Sequence, residues 1–404
     1  MLFCRRYHAL VARHSDVILG IETSCDETAA AVVVAGRDVL SNVVSSQVDL
    51  HEKYGGVVPE IAARAHLERV NPIVREALRL AGVEWTDVEA IAVTDGPGLV
   101  GSLLIGGVCA KTLALLRELP LVAVDHIEAH ATSAALAFEP PTKEAARSDP
   151  TRAQRTGASR AIAAGGAVSA AGAGGAAQAD AASMPAPGLW PAVALVVSGG
   201  HTSLYLVRDF LNVELLGQTV DDAAGEAFDK VASILGLGFP GGPAIERAAR
   251  GGDAEAHRFP RAWLDEPHFN FSYSGLKTAV LYHVYGAGNK YGSAAGLSPA
   301  ALADVAASFQ AAAVEPLVRK TVAAARKTGV GRVVIGGGVA ANSLLREELT
   351  RACAEDGLAL TLTPLRYCTD NAAMIAALGY HRLRAGLTAD LWLEARGGLI
   401  RPAR

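Results

Sequence analysis

The sequence predicts an α/β protein of two duplicated lobes, and three observations carry that expectation. An apolar run at 17–21, a polar turn at 22–28 and a second apolar run at 29–34 read as a β-hairpin. The same strand, polar turn and strand return at 192–197, 198–202 and 203–207, and repetition of one supersecondary unit is how an internal duplication shows itself in sequence. A chain of 404 residues, half of them apolar, is also long enough to bury two substantial cores.

After the first hairpin, residues 59–80 have helical spacing, and 90–94 form a short strand that stops at Asp95-Gly96-Pro97-Gly98. The apolar stretch that follows, 99–116, contains Gly101, Gly106, Gly107 and Lys111 and reads as a buried helix of a soluble fold, with no membrane association expected. Residues 121–124 are a strand leading into Asp125-His126. From 139 to 190 the chain is dominated by Ala, Gly and Ser. Such a tract cannot bury enough surface to offset its ordering entropy, and a disordered insertion or tether is expected. Order resumes at 191. A further strand at 333–335 runs into Gly336-Gly337-Gly338 and a helix from about Asn342, and a last helix is expected over about 371–384.

The formal charge of −4 provides no global attraction to nucleic acid, so an RNA partner would need a local basic patch. Arg64, Arg69, Arg75 and Arg79 form one candidate set; Arg319, Lys320, Arg326, Lys327 and Arg332 form another. Both lie on helix-period segments, where solvated Lys and Arg are ordinary. Cys4, Cys25, Cys109, Cys353 and Cys368 are scattered, with no CxxC pair, which argues against a disulfide framework and for a reducing compartment. The first fifteen residues hold Arg5, Arg6 and Arg13, no acidic residue, and an apolar set of Leu2, Phe3, Leu10 and Val11. Residues 1–16 therefore read as a mitochondrial targeting peptide, and the matrix is the expected location.

The motifs point to an anion-binding cleft and leave a metal site beside it open. Ser198-Gly199-Gly200 and Thr202 make a polar glycine turn whose backbone can approach a phosphate without a Cβ in the way, with Val196 and Val197 fixing the strand that feeds it. A plain hairpin turn would look the same, but the companion turn at 23–28 and the Gly336–Gly338 junction strengthen the nucleotide reading. Asn342 opens the helix after that junction, where a ribose or phosphate can be reached. Asp222, Glu226 and Asp229 are spaced to share a helical face, and Phe239-Pro240-Gly241-Gly242-Pro243 is a turn whose glycines can line the same pocket. His126 and His130, four apart, can chelate a divalent ion from one helix face or be two surface histidines. A zinc protease is rejected. Its general base would follow the first histidine directly, whereas Glu128 lies two residues on, about 200° around the helix. Asp370, in Thr369-Asp370-Asn371, reads on its own as a helix cap.

Together these motifs are more specific than any one of them. GIETSCDET at 20–28, KYGGVVPEIAARAH at 53–66, GPGLVGSLLIG at 96–106 and HIEAH at 126–130 come first. SGGHT, DDAAGEAFDKVA, FPGGP, FSYSGLKTA at 271–279, GGGVAAN and CTDNAAMIA follow in order. The whole resembles the tRNA N6-adenosine threonylcarbamoyltransferase family, bacterial TsaD and its mitochondrial forms, formerly called O-sialoglycoprotein endopeptidases. The resemblance covers the chain from Val17 onward except the Ala/Gly tract.

That resemblance implies an actin-like ATPase (ribonuclease-H-like) fold, two duplicated lobes around a central cleft. The lobes would be 17–138 and 191–365, with 366–404 packing back on the first. It implies transfer of the threonylcarbamoyl group from threonylcarbamoyl-AMP to the exocyclic amine of the adenosine 3′ of the anticodon, in tRNAs reading codons that start with adenine. Carried over position by position, the metal ligands are His126, His130 and Asp370, holding one divalent ion per subunit, iron or zinc. The substrate positions are Val196, Val197, Ser198, Gly199, Gly200, Asp229, Gly242 and Asn342, and Asp26 matches a catalytic carboxylate. The implied partners are tRNA, a separate synthase that supplies the donor, and a second copy of the chain in a homodimer. The insertion at 139–190 departs from the family pattern, as do Asp95 and Ala372; Asp95 has no role that the sequence assigns. A sugar kinase or other ATPase of the same fold would share the turns but has no use for the His126, His130 and Asp370 set, and a non-catalytic nucleotide-binding scaffold would not depend on it.

Overall fold

The computed structural model describes residues 16–137, 188–264, 266–286 and 297–398. The targeting segment expected at 1–16 and the insertion expected at 139–190 lie outside the described residues, apart from Asp16 and 188–190.

Two five-stranded sheets repeat one topology. The first contains β1 (Val17–Glu22), β2 (Glu27–Val34), β3 (Asp38–Ser46), β4 (Ala90–Gly96) and β5 (Leu121–Asp125), in the order β3-β2-β1-β4-β5. The second contains β6 (Ala192–Val197), β7 (Thr202–Asp209), β8 (Asn212–Gln218), β9 (Arg332–Gly336) and β10 (Ala359–Leu362), in the order β8-β7-β6-β9-β10. In each, the first three strands form an antiparallel meander and the last two join in parallel. The duplication read from the two hairpins is thus present strand for strand. The central strands β1 and β6 are buried along their whole length, as continuous apolar runs covered on both faces must be. The edge strand β3 keeps only one fully buried position.

Helices α1 (Pro59–Ala81) and α2 (Val100–Arg117) cover the outer face of the first sheet. Proline at its start and a left-handed Gly82 at its end delimit α1. The short α3 (His126–Thr132) follows β5 directly. On the second lobe α4 (Ala224–Leu235), α5 (Gly241–Ala248), α6 (Ser274–Tyr285), α7 (Pro299–Thr328) and α8 (Ser343–Glu355) build a core around Phe228, Phe271, Tyr273 and Phe309. The last helix, α9 (Ala372–Arg384), returns to the first sheet and packs on β1, β2 and β4. A shared core joins α3 and α9 to residues of both sheets, among them Ile18, Ala92, Ala194 and Val196, so these two helices lie between the lobes.

One expectation is corrected. The 99–116 stretch is not a buried helix: α2 exposes Val100, Leu104, Val108, Leu115 and Leu116. Among the described residues α2 and α7 are both long and apolar enough to cross a membrane, but 67% of the α7 window is buried within the protein against 28% for α2. Composition alone does not distinguish a helix wrapped by its own fold from one with an open face.

Helix α9 approaches β1 closely because Gly20 has no side chain. A Cβ there would lie 2.4 Å from the Ala372 carbonyl oxygen and 2.9 Å from the Ala376 Cβ. Gly20→Ala is therefore expected to destabilise the fold by about 1–3 kcal/mol, as overpacking against backbone does. Urea unfolding of the two proteins checks this, with a lowered midpoint at unchanged slope as the expected result.

Candidate metal centre and nucleotide cleft

The strand-to-helix junction after β5 sets the site. Asp125 caps α3 by accepting from Ile127 N and Glu128 N at 2.9 and 3.1 Å, which fixes the first turn that carries His126. One turn on, His130 presents its imidazole on the same face, with the two ring centroids 4.7 Å apart at 90°. Both rings are buried. At the other end of the chain, Asn371 rather than Asp370 caps α9, its Oδ1 accepting from Met374 N at 3.1 Å. Asp370 is thereby released from capping and turns towards the histidines. Its Oδ1 lies 3.0 Å from His130 Nε2 and 3.4 Å from His126 Nε2. Donor atoms of the three residues all fall within 4.8 Å of one another.

Behind His126 stands a residue the sequence reading missed. Glu22, at the end of β1 and fully buried, has its Oε2 3.0 Å from His126 Nδ1 and also accepts from Thr94 Oγ1 at 2.6 Å. Ser24 Oγ is a further neighbour of the same nitrogen at 3.2 Å. A carboxylate holding the far nitrogen fixes the ring so that Nε2 faces Asp370. The signal was present as an acidic residue ending an otherwise apolar central strand, where an unpaired charge would be costly.

Electrostatics agree with a cation site. Burial alone would raise the Glu22 and Asp370 carboxyls, but His126 beside both holds Glu22 below and Asp370 well below the usual carboxylate range. Burial also opposes a charge on His126, yet Asp370 and Glu22 lift it well above the ordinary imidazole value. His130 moves the other way, because burial lowers it more than its bond to Asp370 raises it. Holding a divalent ion would require both imidazoles to be neutral, and the ion would then replace protonated His126 as the counterion of buried Glu22 and half-buried Asp370. The donor set fits such an ion. Glu22→Gln is expected to weaken metal binding about 10–100-fold while the chain stays folded, and chelator competition measures it.

A cleft of about 370 Å³ opens over this cluster. Its first wall is the 24–27 turn, including Asp26, and its second is the Ser198–His201 turn. Ser198 closes that turn by donating its N–H to the His201 carbonyl at 2.7 Å and by accepting from His201 N on its hydroxyl at 3.1 Å. Val196 and Val197 are fully buried on β6 and anchor the turn; Gly199 and Gly200 have open space where a Cβ would sit. The His201 ring lines the cleft, its centroid 6.2 Å from that of His126. Burial, and then the neighbouring His126, push its pKa down to about 3, so the ring is neutral. Glu27 is raised well above the carboxylate range by burial and then by Asp370 and Asp26.

The remaining expected positions lie outside the lining of that cleft. Asp229 accepts from Gly241 N at 2.7 Å, beside Gly242, which has open space around it. Burial raises the Asp229 carboxyl, and Asp26 adds to the shift from across the cleft. Asn342 caps α8 through Leu345 N and donates to Gln310 Oε1 at 3.3 Å, so both ends of its amide are committed within the protein. The shared helical face expected for Asp222, Glu226 and Asp229 is not formed. Asp222 precedes α4 and pairs with Lys230 and Lys277, because its carboxylate finds two ammonium groups where the turn ends. Of the two basic sets, Arg64, Arg79 and Arg326 are paired with Glu68, Glu76 and Asp356, and Lys320 is spent on the carbonyls of His268 and Asn270. Glu128, the misplaced protease base, faces Arg382 at 3.6 Å. Asp95 receives both arms of Arg396, which also reaches Asp125, so the end of the described chain is tied to the cap of α3.

The family model described as tRNA N6-adenosine threonylcarbamoyltransferase matches residues 38–148 and 175–377, and the stretch it skips falls inside the Ala/Gly tract. A protein of that name from Symbiobacterium thermophilum is 48% identical over 383 residues, covering 95% of this chain and 96% of its own. Another from Sorangium cellulosum is 48% identical over 393 residues, covering 96% and 98%. Among solved structures, HypF from T. kodakarensis is similar with a TM-score of 0.54 at 15% identity, over 91% of this chain and 48% of its own. Full-length HypF in a phosphate- and nucleotide-bound form is similar with a TM-score of 0.52 at 13% identity, over 93% and 47%. These two are likenesses of fold, and the two-lobed architecture is the actin-like ATPase fold.

Proposed function

The chain belongs to the tRNA N6-adenosine threonylcarbamoyltransferase family, and from that premise we propose that it performs the transfer in the cleft between Asp26 and the His126, His130 and Asp370 cluster. The reaction forms a bond from the adenosine N6 to the threonylcarbamoyl carbonyl carbon. The bond from that carbon to the phosphate oxygen breaks, AMP leaves with the electron pair, and one amine proton is lost. The observation that carries the placement is the meeting of the His126 and His130 pair with Asp370, from the far end of the chain, within 4.8 Å, with His126 and Asp370 lining the cleft.

Two imidazoles and one carboxylate suit iron(II) or zinc, and such an ion, when bound, supplies Lewis acidity and a template for the donor's oxygens. His126, His130 and Asp370 would hold it, with Glu22 keeping His126 in register. The open glycine turn at 199–200 gives the departing phosphate access to backbone. Asp26, facing it, is the group placed to take the amine proton or orient the amine. A kinase or scaffold reading gives these buried donors nothing to do.

Partners and place follow from the same reading. The tRNA and a donor made by a separate synthase are the substrates. A homodimer is supported by Val100, Leu104 and Val108, exposed every fourth residue along α2. The basic, acid-free start of the sequence supports delivery to the mitochondrial matrix. Mass spectrometry of mitochondrial and cytosolic tRNA nucleosides after loss of the protein tests the reading. Threonylcarbamoyladenosine is expected to fall in the mitochondrial pool; a fall in the cytosolic pool alone overturns the location, and no fall in either overturns the function.

A further inference from the structure

We propose that His201 is a fourth protein ligand of the metal, supplied by the second lobe. The proposal rests on the metal centre assigned above and extends it across the cleft. Two of the three first ligands sit on α3 and the third just ahead of α9, so all three are held by elements between the lobes. His201 reaches the same place from the opposite side, on the β6–β7 turn. Its Nε2 is buried and has no hydrogen-bond partner among the described residues. A buried polar atom left unpaired needs a reason, and a cation beside it is one.

The simpler reading, that His201 is only a turn residue, does not explain its side chain. Closing the turn uses its backbone N–H and carbonyl, both bonded to Ser198, and leaves the imidazole uncommitted. That ring faces His126 at 6.2 Å between centroids, somewhat farther than the 4.7 Å separating His126 from His130. The main chain of the turn is held to α4, with Gly225 N and Glu226 N donating to the Ser198 and Gly199 carbonyls at 3.2 and 3.1 Å, so the His201 side chain rather than the turn would close that gap. A ligand from this turn would let both lobes hold the ion, beside the phosphate-facing glycines.

The test uses the full-length protein loaded with zinc alone. X-ray absorption at the zinc edge is expected to show three imidazoles in the unchanged protein and two in His201→Ala, and chelator competition to show zinc held about 10–100-fold more weakly in the variant. Two imidazoles in both proteins, with equal affinity, overturns the proposal. Matching circular dichroism spectra of the two zinc-loaded proteins exclude misfolding as the source of the difference. His126→Ala is the control for the centre itself. If it loses zinc while His201→Ala does not, only the fourth ligand is wrong; if it keeps zinc with the imidazole count unchanged, the centre is wrong and this proposal falls with it.

Discussion

Asp370→Ala is expected to release the metal and lower transfer by about 10³-fold, or roughly 4 kcal/mol of lost transition-state stabilisation. Its oxygen is the point on which both histidine Nε2 atoms converge, at 3.0 and 3.4 Å, and among the described residues no other carboxylate joins that group. Glu22 would remain on the far nitrogen of His126, so the core keeps a partner for that ring and the fold should survive. Metal analysis of the purified variant and a single-turnover transfer assay together check the prediction. Retained metal with full transfer would show that the three residues meet for structural reasons only.

Asp26→Ala separates chemistry from metal binding. The carboxylate lines the cleft from the first hairpin turn, and it is not among the three donors gathered at the metal centre. Transfer should fall about 10²–10⁴-fold, the usual worth of a positioned acid or base, while metal content stays unchanged. If the metal is lost as well, Asp26 belongs to the support of the centre, through Glu27 or the turn, and not to the transfer step.

The fold was legible where local pattern determines it. The hairpins at 17–34 and 192–207 announce themselves by apolar runs around polar turns, and the structure repeats the whole five-stranded order around each. The final helix, expected over about 371–384, runs from Ala372 to Arg384, but its cap is Asn371 and not Asp370, which on its own reads as the cap in the sequence. What could not be read was whatever depends on distant partners. Glu22 becomes a support for His126 only because β1 and β4 end beside α3, 104 residues along the chain. Asp222 leaves the helical face that its spacing suggested because Lys277 comes to meet it. Asp95, unassigned in the sequence, is the anchor of Arg396, which no local pattern links to it. For the exposed stripe on α2, periodicity gave an apolar helix but not which neighbour would fail to cover it.

The candidate ligand cluster shows the same division. An i, i+4 histidine pair is ambiguous alone, and the motif resemblance joined Asp370 to it. The structure adds the orienting carboxylate, the freed aspartate and the buried nitrogen of His201, none of which spacing encodes.

The most direct measurement combines the purified chain with threonylcarbamoyl-AMP and an unmodified tRNA reading an adenine-initial codon, and follows AMP release and nucleoside composition together. The account predicts one AMP released for each threonylcarbamoyladenosine formed, with both lost in His126→Ala. AMP release without modified nucleoside, or equal modification by His126→Ala, would contradict it.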